Sequence, residues 1–104
     1  MGKILKHSAS NLLPVGSQGS LTLAGTAVSW DGSDDPDADW EVIQYQIITA
    51  TEGAWISYDG TAAAANDFFV AVNFTASVSR GTFLAMSFLD HTTDGKVIYQ
   101  GFRA

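Results

Sequence analysis

Apolar residues in this chain fall in short runs of four to nine, separated by Gly, Asp, Ser and Thr. That spacing suits strands, and no long segment repeats with the 3.6-residue period of an amphipathic helix. The pattern predicts strands over 20–30, 40–50, 53–58, 67–74, 82–89 and 96–103. In the second, alternation puts Ile43, Tyr45 and Ile47 on one face and Val42, Gln44, Gln46 and Ile48 on the other. In the first, Leu21 and Leu23 are separated from Ala27 and Trp30 by Gly25, which marks a bulge or a bend. Phe68, Phe69 and Val70 are contiguous, so their side chains point to both faces and one ring covers a second surface. Over 82–89, Leu84, Met86 and Phe88 oppose Phe83, Ala85, Ser87 and Leu89. Asp94-Gly95 is a reverse-turn signal that would join this strand to the last as a hairpin. The expectation is an all-β fold, an antiparallel β-sandwich or flattened barrel of six to eight short strands with an extended N-terminal arm.

A length of 104 residues with 46% hydrophobic and 12% aromatic content fits one domain with a real core. Residues 1–19 mix Ser, Gly, Asn and Pro with Ile4, Leu5, Leu12, Leu13 and Val15. They read as an arm with apolar anchors or as a first strand, leaving 20–104 as the β-domain. The chain has no cysteine, which removes disulfides and thiolate metal sites and suits a reducing cytoplasm. No apolar run resembles a signal-peptide core or a membrane span, and Lys6 stands where myristoylation needs Ser or Thr.

Charge alters this picture in one place. Residues 1–30 hold +2, residues 31–41 hold −6 and the remainder −2. Asp31, Asp34, Asp35, Asp37 and Asp39 crowd together, a density that cannot be buried without a cation. Asp35, Asp37 and Asp39 alternate as in the opening of a calcium loop. Yet the loop lacks the required Gly, Gln46 stands where a bidentate Glu belongs, and Pro36 stiffens the backbone. The loop therefore reads first as a solvated turn facing a partner's Lys or Arg, and second as a calcium site; no cofactor is expected.

Five Lys/Arg against eleven Asp/Glu give no footprint for nucleic acid. The glycines are scattered, without a phosphate loop. His7 and His91 are the only imidazoles, and neither is placed for a Ser-His-Asp arrangement. Glu41, Glu52, Asp59 and Asp67 supply carboxylates for glycoside hydrolysis, but the chain is too short to wall a sugar cleft. Trp30, Trp40 and Trp55 offer rings for sugar stacking, though such residues are more often core or interface. The expectation is a protein that is not an enzyme.

The stretch AWISYDGTAAAANDFFV, preceded by IQYQIITA and followed by SRGTFLAMSFLDHTTDGKVIYQGFRA, resembles small structural proteins of tailed bacteriophage virions. The likeness covers roughly 40–103, and its distinctive element is Ser57-Tyr58-Asp59-Gly60-Thr61-Ala62. It implies a β-sandwich protein of the virion, assembled in the host cytoplasm: a capsid decoration or cement protein, or a neck or tail component. The implied partners are the major capsid protein or other virion proteins and further copies of the chain, with no nucleic acid and no membrane. Charged residues are 15% of the chain against about 25% in ordinary domains, so part of the surface is expected to be covered. Candidate interface residues are Ile4, Leu5, Leu12, Leu13, Trp30, Trp40 and Phe68, each with the core as its alternative place. A carbohydrate-binding module of a tail or host-recognition appendage is the alternative function.

Overall fold

The computed structural model describes residues 12–49, 51–92 and 94–104. Ile4, Leu5 and His7 lie outside the described residues. The strands are β1 (Leu13–Pro14), β2 (Gly19–Leu23), β3 (Val42–Thr49), β4 (Ala54–Ser57), β5 (Phe68–Val70), β6 (Thr75–Ser79), β7 (Ser87–Asp90) and β8 (Gly95–Arg103). One short helix, α1 (Arg80–Ala85), joins β6 to β7.

Among the described residues every strand pairing is antiparallel, and the strands form two sheets. The larger runs β6-β3-β8, with β1 and β2 sharing the far side of β8. The smaller runs β5-β4-β7, and Val28 extends it by exchanging backbone hydrogen bonds of 2.8 and 2.9 Å with Phe88. The result is an all-β sandwich. Its core joins Ile43, Tyr45, Ile47, Val97 and Tyr99 of the larger sheet to Ala54, Ile56, Val70 and Phe88 of the smaller. Alternation in β3 runs as the pattern predicts, with Ile43, Tyr45 and Ile47 buried and Gln44 and Ile48 exposed.

Three expectations are corrected. First, β7 and β8 do not form a hairpin: β7 pairs with β4, whereas β8 pairs with β3, so the Asp94-Gly95 link crosses between sheets. Gly95 serves close approach instead, because a Cβ there would lie 2.2 Å from the Ile48 carbonyl oxygen. Second, the predicted strand 82–89 is half helix. Ser79 Oγ accepts from the Thr82 backbone N–H and caps α1, which turns Phe83 into the core and leaves Leu84 outside. Of the two readings of residues 1–19, arm or first strand, the part from Leu13 follows the strand. β1 pairs with the end of β8, and Val15 N donates to the Gly101 carbonyl at 3.0 Å. Third, the first predicted strand is shorter than 20–30; it ends at Leu23, and the chain bends at Gly25, whose φ is +90°.

Candidate functional site

The acidic loop is knitted to the core, which corrects its reading as a solvated turn. Asp35 accepts through Oδ1 from the backbone N–H of Asp39 at 3.0 Å and of Trp40 at 3.2 Å. Its Oδ2 faces Arg80 Nε, and its side chain is fully buried. Arg80 is thus the cation that such burial requires. Asp34 bridges two rings, accepting from Trp30 Nε1 at 2.7 Å and from the Tyr99 hydroxyl. Burial, and then that carboxylate, push the Tyr99 hydroxyl above the ordinary tyrosine range. Asp37 and Asp39 are exposed, Asp39 facing Arg103 at 3.7 Å. Asp35, Asp37 and Asp39 therefore do not converge on one point. Among the described residues no group of three or more His, Cys, Asp or Glu is arranged to hold a metal ion.

Trp30 and Trp40 are core residues, not interface residues, with 3% and 2% of their surface exposed. Their rings stack at 5.6 Å and 14°. Trp40 Nε1 donates to the Val15 carbonyl at 2.7 Å, and the Trp40 ring lies over Gly101, the position where β8 can admit it. The indole N–H groups find partners inside the fold, as buried tryptophans require. The sugar platform thereby loses two of its three rings.

The remaining aromatic residues gather on the smaller sheet. Trp55 of β4 lies between Phe69 of β5 and Leu89 of β7 in register, so the three share the outer face. Trp55 meets Phe69 edge-on with centroids 5.0 Å apart, and His91 lies 5.5 Å from both rings. Phe68, 56% exposed, flanks Tyr58, 41% exposed, at 6.2 Å, while Phe69 is 42% exposed. Phe68 thus stands outside as the sequence suggests, and Phe69 joins it. Among the described residues β5 pairs only with β4, leaving its other edge open. An open edge bearing large apolar side chains is a template for pairing with another chain.

His91 Nδ1 lies 2.9 Å from Glu52 Oε1, and Thr92 Oγ1 donates to the other oxygen of that carboxylate. These bonds, Thr92 first, hold Glu52 below the ordinary carboxylate range. Glu52 stands between hydroxyl and imidazole. That is not the order of a nucleophilic relay, in which the imidazole holds the hydroxyl. Asp59 Oδ1 accepts from Ser57 Oγ, Thr61 N and Thr61 Oγ1, with the Thr61 bonds foremost in lowering its pKa to about 2. Asp67 accepts from Ala64 N, and Glu41 from Ala104 N. Asp59 and Asp67 close turns, Glu41 holds the chain end, and Glu52 ties its loop to Thr92 and His91.

The outer face of the larger sheet is different in character. Val42, Gln44, Gln46 and Ile48 of β3 lie in register with Phe102, Gln100, Ile98 and Lys96 of β8. Ser79, Ser77 and Thr75 of β6 continue three of those rows. Lys96 is the one charge in this array. A groove lined by Leu12, Val42, Gln44, Ser77 and Phe102 crosses one end of it. Leu12 is half-buried there and Leu13 is 67% exposed.

No family model, curated protein or solved structure matches this chain. No helix among the described residues is long and apolar enough to cross a membrane.

Proposed function

We propose that the chain is a structural subunit of a phage virion, a capsid decoration or cement protein that binds the shell through apolar β-surfaces and its N-terminal segment. Its partners on this reading are the major capsid protein or other virion proteins, and further copies of itself. The observation that carries the reading is the open β5 edge with Phe68, Phe69 and Tyr58 exposed around it. Free monomers do not ordinarily keep an aromatic edge strand uncovered.

The magnitude favours attachment to an array over a free-standing dimer. Roughly half of three aromatic surfaces is on the order of 300 Å², against about 800 Å² per partner in a standard interface. At about 25 cal/mol per Å², that burial contributes about 7 kcal/mol, comparable with the cost of association. One such contact is weak alone and becomes stable when many subunits engage a repeating surface.

The test is mass spectrometry of purified virions from a phage whose genome encodes the chain. Many copies per particle are expected, and a Phe68→Ser/Phe69→Ser variant that still folds should be depleted. Absence of the wild-type chain from particles would refute the reading.

A further inference from the structure

Backbone direction fixes what the β5 edge offers. Val28 and Phe88 exchange hydrogen bonds in both directions, so the N–H and C=O of Phe88 point away from β4 and those of Leu89 point towards it. Leu89 lies opposite Trp55, which therefore bonds to β7, while Ala54 and Ile56 bond to Val70 and Phe68 of β5. The His91 N–H keeps the same alternation by donating to the Gly53 carbonyl at 3.3 Å. Phe69, between Phe68 and Val70, is left with its N–H and its C=O on the open side. Among the described residues neither group has a partner.

The sandwich is incomplete along this edge. Phe68 lies opposite the buried Ile56, in the register of the core face, yet it is 56% exposed and meets Tyr58, itself 41% exposed. A strand added beside β5 would lay side chains over Phe68 and complete that layer. Charge sets the chemistry of such a strand. Exposed Asp67 precedes β5, and exposed Asp59 follows Tyr58. Residues 51–71, which carry β4 and β5, hold Glu52, Asp59 and Asp67 and no Lys or Arg. The described cations stand elsewhere: Arg80 faces Asp35, Arg103 faces Asp39, and Lys96 lies on the outer face of the larger sheet. A second copy pairing through the same edge would add the same carboxylates, so charge complementarity selects a different chain.

We infer that β5 receives an extended strand from another virion protein, with apolar residues facing Phe68 and Val70 and Lys or Arg facing Asp67. This rests on the reading of β5 as the virion contact and deepens it by naming the partner's chemistry. The residue opposite Phe69 exchanges two backbone hydrogen bonds with it, which fixes the register. Its neighbours on either side fill the inner layer, and the next residue out meets Asp67 on the outer face, because side chains alternate. Backbone bonds give the affinity, and the carboxylates reject acidic strands.

The test is an NMR titration of the full chain with the capped peptide Ser-Lys-Val-Thr-Val-Lys-Ser, whose central Thr would stand opposite Phe69. Saturable shifts are expected at the amides of Asp67, Phe68 and Phe69 and at the Trp55 indole, weakening as salt is added. Replacing both peptide lysines by Glu should lower the affinity about tenfold, and N-methylation of the central Thr, which removes its donor, by a similar factor. Phe69→Pro removes the outward N–H and none that β4 uses, at an edge position where proline is tolerated, and should abolish the shifts. Should that variant unfold, the N-methylated peptide still decides. No saturable shift, equal binding of the Glu peptide, undiminished binding of the N-methylated peptide, or a chain that dimerises alone through β5 would overturn the proposal. Peptide binding by a chain absent from virions would refute the virion reading alone, and a chain found in virions that takes no peptide would refute this proposal alone.

Discussion

Replacing Arg80 with Met removes the cation facing the buried Asp35 carboxylate while keeping much of the side chain's volume. Asp35 retains two backbone donors, Asp39 N and Trp40 N, but both serve Oδ1, and Oδ2 loses its partner. Breaking a buried ion pair from one side costs about 3–5 kcal/mol. Arg80 is 29% exposed, so water screens part of the interaction and places the loss near about 2–3 kcal/mol. The guanidinium also lies 5.6 Å from the Trp30 ring centroid, a contact that contributes about 0.5–1 kcal/mol. Together these amount to about 3 kcal/mol, or a fall in Tm of roughly 10–25 °C for a domain of this size. Denaturant unfolding of the wild type, Arg80→Met, Asp35→Asn and the double variant measures the coupling directly. The double variant should lose less than the sum of the single ones. A loss below about 1 kcal/mol for Arg80→Met, or additive single losses, would show that Asp35 is solvated and that this geometry is wrong.

Gly101→Ala should cost about 3 kcal/mol in denaturant unfolding, because the added Cβ would stand 1.8 Å from Trp40 Cδ2. Phe68→Ser, by contrast, should leave the melting temperature nearly unchanged, since the ring is 56% exposed, yet reduce binding to shells. Asp59 should titrate near 2, below its ordinary 3.8. A depressed carboxylate stabilises the fold above the ordinary value and loses that contribution as pH falls from 3.8 towards 2. Thr61→Val should move the NMR titration midpoint upwards. A chelator should leave the melting temperature unchanged, because Arg80 and backbone N–H groups already occupy the Asp35 oxygens.

Alternation made the central strand legible: Ile43, Tyr45 and Ile47 differ from Gln44 and Gln46 as inside differs from outside. β6 was not legible, since Thr75, Ala76, Ser77, Val78 and Ser79 carry little apolar contrast and owe their pairing to β3. α1 was hidden for a related reason. Residues 80–85 include Gly81 and Thr82, poor helix formers, and only the Ser79 cap and the Phe83 anchor reveal the helix. Asp94-Gly95 misled because glycine signals close approach as well as turns, and its partner strand β3 is distant in sequence. At the surface, Phe68 could be anticipated because contiguous rings cannot share one face. Trp30 and Trp40 could not be separated from it, as their burial depends on Asp34, Val15 and Gly101. Arg80, the partner of Asp35, is 45 residues away in sequence and carried no local signal.

The most direct test of the assembly role is amide hydrogen exchange on the chain, free and bound to capsid shells, read at β5 and β4. Phe68, Phe69 and Val70 should gain protection on binding, together with Trp55, while the amides of β3 stay protected in both states. A chain that does not bind shells, or binds with the β5 amides exchanging as fast as in the free protein, would contradict the aromatic edge as the contact.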